Sequence, residues 1–239
     1  MLETCFKNDG IVEIGIDEAG RGSFWGPIMA GAVIIPTEET WTDKQTELFE
    51  QLKDSKKISP KKRERLYESI KELVEHYGIG IVDASEINEH GITWANQEAF
   101  RRAVLNIKLE DHTSCRLVID GVLSIPDWTN EQELVVEGDG KYIAVAAASI
   151  LAKVHHDKWI QTYCEGNPEC DTRYDLCKSK GYGTAKHRDG IRVYGGHELH
   201  RLLYIQNWLP TGKGVSQKKT KVGKKSVGVA AADKCLIKF

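Results

Sequence analysis

Three short apolar runs in this chain each lead into an acid, and that repetition limits the fold more than any other feature. Ile11 to Ile16 runs into Asp17-Glu18, Leu117-Val118-Ile119 into Asp120-Gly121, and Leu134-Val135-Val136 into Gly138-Asp139. Runs of this length, rich in aliphatic residues and stopped by turn residues, read as buried strands. Stretches with helical spacing lie between the later ones, so the chain reads as α/β. Acids at the strand ends of such a sheet meet along one rim.

The remaining elements fill in around this frame. Ile28 to Ile35 is a second apolar run, stopped by Pro36, and Gly20, Gly22, Gly26 and Pro27 make the tight connection that predicts an antiparallel pair. Residues 37–48 are polar and read as a surface excursion. Ser59 and Pro60 supply an N-cap and a first-turn proline, opening a helix with Leu66, Ile70, Leu73, Val74 and Tyr77 on one face. Ile79 to Val82 follows as a strand. Ser85 and Thr93 open a short and a long helix, the second burying Phe100, Val104 and Ile107. Tyr142 to Ile160 is an alanine-rich helix able to sit close to a sheet. Gly181-Tyr182-Gly183 is a loop, and Thr184 caps one more helix. The expectation is a mixed five-stranded sheet flanked by helices, in one domain over residues 1–210.

Charge sets the last 29 residues apart. Residues 211–239 hold eight lysines against one acid, a net of +7, which leaves −9 on residues 1–210 of a chain with net charge −2. A basic, aperiodic arm on an acidic body is a nucleic-acid design. No apolar run approaches the roughly 20 residues of a membrane span, and no basic-then-apolar leader opens the chain. The expectation is a monomer that stays in the compartment where it is made, the cytoplasm, or the nucleus in a eukaryote. The six cysteines are scattered without a Cys-x-x-Cys pair and read as free thiols.

Asp17, Glu18, Asp120 and Asp139 together point to metal-assisted hydrolysis. Four carboxylates at one rim repel each other unless cations hold them, and hard oxygen ligands suit Mg²⁺ or Mn²⁺. Two such ions about 4 Å apart serve an in-line phosphodiester displacement. Gly20-Arg21-Gly22 strips the backbone for close approach to a sugar or phosphate, with Arg21 as a phosphate fork. Lys56 and Lys57 are candidates for phosphate contacts or for a solvated helix approach. Lys153 either reaches the rim or snorkels, and Asp157, deep in a helix, reads as a structural partner rather than a metal ligand. His187 and the His200-Arg201 pair support the loop, bind the nucleic-acid backbone, or lie in the core.

Asp17-Glu18-Ala19-Gly20-Arg21-Gly22 with Gly26-Pro27 resembles the signature of type 2 ribonucleases H, the ribonuclease HII family. Further matches run in order through Asp54-Ser55-Lys56-Lys57, Asp120-Gly121, Gly138-Asp139, Ala147 to Val154, Lys180 to Thr184, His187 and His200-Arg201. The resemblance implies the ribonuclease H-like fold, with Asp17, Glu18, Asp120 and Asp139 as the catalytic set binding two Mg²⁺ or Mn²⁺ ions. It implies cleavage on the 5′ side of ribonucleotides embedded in duplex DNA, and of the RNA strand in RNA–DNA hybrids. It further implies that the Gly20-Arg21-Gly22 backbone and Tyr182 read the 2′-hydroxyl, the one group separating RNA from DNA at a given sugar. The terminal Leu236-Ile237-Lys238-Phe239 loosely resembles peptides that dock on sliding clamps, without the leading glutamine.

The chain departs from the family pattern at Glu137, where lysine is usual, at His156 for arginine, and at Leu203-Tyr204 for Ser-Phe; residues 37–48 are longer than usual. Two rivals are a type 3 ribonuclease H and a catalytically silent hybrid-binding protein. The first lacks Gly-Arg-Gly and carries an additional amino-terminal domain, and the second would have lost an acid.

Overall fold

In the computed structural model, which describes residues 2–52, 58–109 and 114–210, five strands form one mixed sheet. They are β1 (Val12–Ala19), β2 (Ile28–Val33), β3 (Tyr77–Val82), β4 (Cys115–Asp120) and β5 (Gln132–Val135), in the order β3-β2-β1-β4-β5. β1 pairs antiparallel with β2, and β2 with β3, while β1–β4 and β4–β5 are parallel. The expected mixed sheet of five strands is therefore present, with the early strands antiparallel. Helices form the connection from β3 to β4, but β4 reaches its parallel neighbour β5 through residues 121–131, which hold no helix.

Glycine and alanine set how closely the helices approach. Helix α5 (Ile143–Gly166) crosses one face of β1 and β2. A Cβ on Gly15 would stand 2.3 Å from the Ala144 backbone, and one on Gly31 would stand 2.4 Å from the Ala148 carbonyl oxygen. On the other face, α4 (Ile92–Leu105) closes on Gly78 and Gly80 through Ala103 and Ala99. Between α4 and the sheet lie Ile14, Ile16, Ile28, Leu117, Ile119 and Phe100, all buried. The α5 face carries a second core with α1 (Asp43–Glu50) and α2 (Pro60–Leu73), including Phe49, Leu66, Ile70 and Leu151.

A third core, around fully buried Trp25, packs the far end of α5 against α6 (Pro168–Tyr174), α7 (Leu176–Ser179) and α8 (Ala185–Tyr194). The last helix, α9 (Leu202–Ile205), adds Ile205 to it. Arg116, buried in β4, ties the amino-terminal segment to the sheet through Asp9 at 2.6 Å, Glu13 at 3.0 Å and Glu131 at 2.8 Å.

Several local expectations need correction. Residues 37–48 lie largely at the surface, as expected, but they also begin a helix: Thr42 caps α1 in a reciprocal pair with Gln45, and Leu48 and Phe49 are buried. Ser59 caps α2 as expected, but the helix stops at Leu73 because Val74 turns extended, and Tyr77 opens β3. Helix α3 (Ala84–His90) starts from Asp83, whose backbone N–H donates to Glu86, rather than from Ser85. Helix α4 starts from Gly91, at φ +86°, rather than from Thr93. β5 begins two residues earlier than the apolar run and ends at Val135. No described helix is long and apolar enough to cross a membrane. The Lys56 and Lys57 expectations and those for the 211–239 tail lie outside the described residues.

Candidate active site

Asp17 sits near the end of β1, opposite Gly31 of β2, where the missing side chain of Gly31 lets α5 press against the sheet. It is 5% exposed, so its carboxylate is nearly sealed from water. One oxygen accepts from the Glu18 backbone N–H at 2.7 Å, and the Ser149 hydroxyl of α5 donates to the same carboxylate. Burial pushes this carboxyl well above the usual range, and the Glu18 and Asp120 charges push it further the same way.

The parallel register carries Asp120 to the same level. Ile16 pairs with Ile119, so Asp17 and Asp120 are the next residues on adjacent strands. Asp120 Oδ1 accepts from the Gly138 N–H at 2.7 Å, and that bond pins the short turn Gly138–Gly140 beside the rim. Asp139, on this turn and 5% exposed, precedes α5 directly. Glu137, in the left-handed region at φ 57°, is exposed. Glu18 and Asp120 are half-buried. The fold thus gathers Asp17, Glu18, Asp120 and the Asp139 turn at one end of the sheet.

Gly20-Arg21-Gly22 follows β1 as a braced turn. Gly20 has φ +81°, and a Cβ there would lie 2.5 Å from the His156 ring, so only glycine fits. Arg201, 1% exposed, holds the turn from behind. Its Nη1 donates to the carbonyls of Gly20 at 2.7 Å and Arg21 at 2.9 Å, and its Nε to Gly26 at 3.0 Å. Tyr204 adds a bond from its hydroxyl to the Arg21 carbonyl at 3.1 Å. Arg201 is thus a brace beneath the loop and presents almost no surface of its own, in line with the loop-support reading and not with substrate contact.

Tyr182 stands across from this turn. Ser23 and Tyr182 form an antiparallel bridge, and the Gly181 carbonyl accepts from Phe24 at 2.9 Å. The Tyr182 ring is half-buried, with Lys153 Nζ 5.4 Å from its centre. His187, fully buried, donates from Nδ1 to the Tyr182 carbonyl at 3.0 Å and meets His200 at 3.1 Å. His187 therefore also holds the loop, rather than facing a substrate. Asp157 takes Lys153 at 2.8 Å and His156 at 3.2 Å. Burial pushes the Asp157 carboxyl up, but the His156 bond and the Lys153 charge outweigh it and keep it below its ordinary value.

Sequence reasoning gave no supporting role to three residues: Ser149 on Asp17, His156 under Gly20, and Tyr204 on Arg21, the last two standing out only as departures from the family pattern. Ser149 left a physical signal, as the one hydroxyl within the run from Ala144 to Ala152. An isolated polar residue on a buried helix face needs a partner.

Comparison with known proteins places the chain in a family. The ribonuclease HII family profile covers residues 14–207. The Ribonuclease HII of Caldanaerobacter subterraneus subsp. tengcongensis is 40% identical over 82% of this chain and 74% of its own length. The ribonuclease H2 structure from Pyrococcus horikoshii superposes with a TM-score of 0.61 at 23% identity, covering 83% of this chain and 97% of that one. The ribonuclease HII of Archaeoglobus fulgidus, solved as a complex with PCNA, gives 0.60 at 22%, covering 91% and 98%. At these identities the two structures bear on the fold alone, which is the ribonuclease H-like fold.

Proposed function

The chain belongs to the ribonuclease HII family, hydrolases of the ribonuclease H type, and from that premise we propose that it nicks duplex DNA on the 5′ side of embedded ribonucleotides. It also cuts the RNA strand of RNA–DNA hybrids, leaving a 5′-phosphate and a 3′-hydroxyl. The observation that carries this reading is the direct continuity of the acid cluster into the braced turn. Glu18 and Gly20 are two residues apart, and Ser23 pairs with Tyr182.

The residues fit divalent cations. Asp17 is buried with like charges beside it, and the donors are all hard oxygens, the set that Mg²⁺ or Mn²⁺ takes. Asp17, Glu18, Asp120 and Asp139 would hold two ions, which supply Lewis-acid stabilisation and a water nucleophile when bound. The chain's own groups do the rest. Ser149 and the Glu18 N–H fix the Asp17 carboxylate. The Gly20–Gly22 backbone, free of side chains at Gly20 and Gly22, faces the sugar carrying the 2′-hydroxyl, and Arg21 contacts phosphate. The Tyr182 ring packs on the neighbouring deoxyribose, where an additional hydroxyl would fit badly. Arg201 and His187 keep those two elements in register.

The tail supports a subsidiary reading. Its lysines add phosphate contacts, and its terminal apolar residues dock a sliding clamp, an idea favoured by the archaeal relative solved with PCNA. Deleting residues 211–239 then makes the salt dependence of DNA binding shallower while leaving the cleavage position unchanged. An unchanged salt slope removes the tether.

Asp120→Asn tests the catalytic assignment. It keeps shape and the Gly138 bond but removes a charge the cations need, so cleavage of a duplex with one ribonucleotide falls by orders of magnitude in a folded protein. A rate above about a tenth of the parent's, a change of about 1.4 kcal/mol, contradicts it.

A further inference from the structure

Cys164, Asp171 and Cys177 lie on three successive helices and converge at one point ahead of the Tyr182 loop. Cys164 lies in the last turn of α5, Asp171 on α6 and Cys177 on α7, and their two sulfurs and a carboxylate oxygen all lie within 4.8 Å of one another. Cys164 is buried and the other two are half-buried. Asp171 is already oriented, because its Oδ1 accepts from the Cys177 N–H at 2.7 Å.

A tetrahedral Zn²⁺ with bonds of about 2.3 Å to sulfur holds its ligand atoms within that span. Two sulfurs and one carboxylate oxygen suit a borderline-soft ion, whereas Mg²⁺ calls for oxygen alone. We propose that Cys164, Asp171 and Cys177 form a second metal site, separate from the acidic rim, which takes one Zn²⁺ ion with solvent in the fourth position.

Binding replaces two S–H bonds with two S–Zn bonds and releases two protons, with no change of oxidation state. Because binding displaces thiol protons, loading strengthens as pH rises. The ion would clip the end of α5 to α6 and α7. Helix α7 ends at Ser179, whose carbonyl accepts from the Tyr182 N–H at 3.0 Å, so the clip steadies the frame beneath Tyr182.

Co²⁺ is the probe that separates this site from the acidic one, because only thiolate ligands give a sulfur-to-cobalt charge-transfer band. The full chain, reduced, stripped with chelator and held in excess Mg²⁺, should develop that band with one Co²⁺ and lose it on adding Zn²⁺. The near-isosteric Cys177→Ser variant should lose the band, and Cys5→Ser and Cys235→Ser should keep it. Zn²⁺ should raise the melting temperature of the parent and leave that of Cys177→Ser unmoved, a comparison that also reports whether the variant folds. No thiolate band in the reduced parent, or a band that survives Cys177→Ser, overturns the proposal. So does a Cys164–Cys177 disulfide in peptide mapping with no cobalt band after reduction.

Discussion

His200 donates from its Nε2 to the Nε2 of His187, 3.1 Å away, and the direction of that bond is set from both ends. His200 Nδ1 accepts the His197 backbone N–H at 2.8 Å, so its proton sits on Nε2. His187 must then accept at Nε2 and donate from Nδ1 to the Tyr182 carbonyl. Both rings are neutral in this chain, which ends on the residue assigned to sugar discrimination.

The pair makes the fold acid-sensitive. Burial, and then the neighbouring histidines, push His200 down from 6.5 to about 3, and burial pushes His187 down as well. For a base with a depressed folded pKa the stability is complete above 6.5 and is lost as pH falls from there toward 3. Denaturant midpoints should therefore drop across that window, and more gently in His200→Gln. Equal slopes for the two proteins would place the acid sensitivity elsewhere.

Arg201→Lys should cost about 1–3 kcal/mol, because a single ammonium cannot span three buried carbonyls and at least one is left without a donor. Urea unfolding measures this, and cleavage at an isolated ribonucleotide should weaken with it. A variant as stable as the parent shows that the Gly20 turn does not depend on Arg201.

Gly31→Ala drives a methyl group into the Ala148 carbonyl and so lifts α5 from the strand carrying Asp17. The expected loss is about 1–3 kcal/mol or more, with slower cleavage because Ser149 moves with the helix. Gly166→Ala, where nothing lies within 4 Å, serves as the control. Matching melting curves for the two variants would contradict the close-packed helix.

The strand-end acids were legible because an apolar run stopped by an acid has few other readings, and Ser59 and Thr184 announced their helices through capping chemistry. Helix α1 was hidden. Its mean polarity masks a two-residue apolar contact, Leu48 and Phe49, that matters only once Trp41 and α2 are beside it. The supporting shell was less legible still. Arg201 and His187 left three readings open, and only tertiary contact reveals the backbone carbonyls at Arg201 Nε and Nη1 and at His187 Nδ1. The meeting of Cys164 and Cys177 depends on the turns between α5, α6 and α7, which leave no short cysteine spacing to read.

Asp17→Asn should trade activity for stability. Removing one charge from the rim relieves its repulsion with Glu18 and Asp120 in metal-free protein, while an amide oxygen still accepts from the Glu18 N–H. In chelator the variant should melt higher, roughly 2–4 °C for each kcal/mol gained, and cleave orders of magnitude more slowly. A lower melting temperature would show that the carboxylate is stabilising as it stands.

The most direct test maps product ends on duplex DNA containing a single ribonucleotide, with Mg²⁺ or Mn²⁺, for the parent and Tyr182→Ala. The account predicts one nick on the 5′ side of that ribonucleotide, with a 3′-hydroxyl upstream and none on all-DNA duplex. It also predicts that Tyr182→Ala loses more activity there than on a continuous RNA–DNA hybrid. Cleavage on the 3′ side of the ribonucleotide, or equal losses on both substrates, would contradict it.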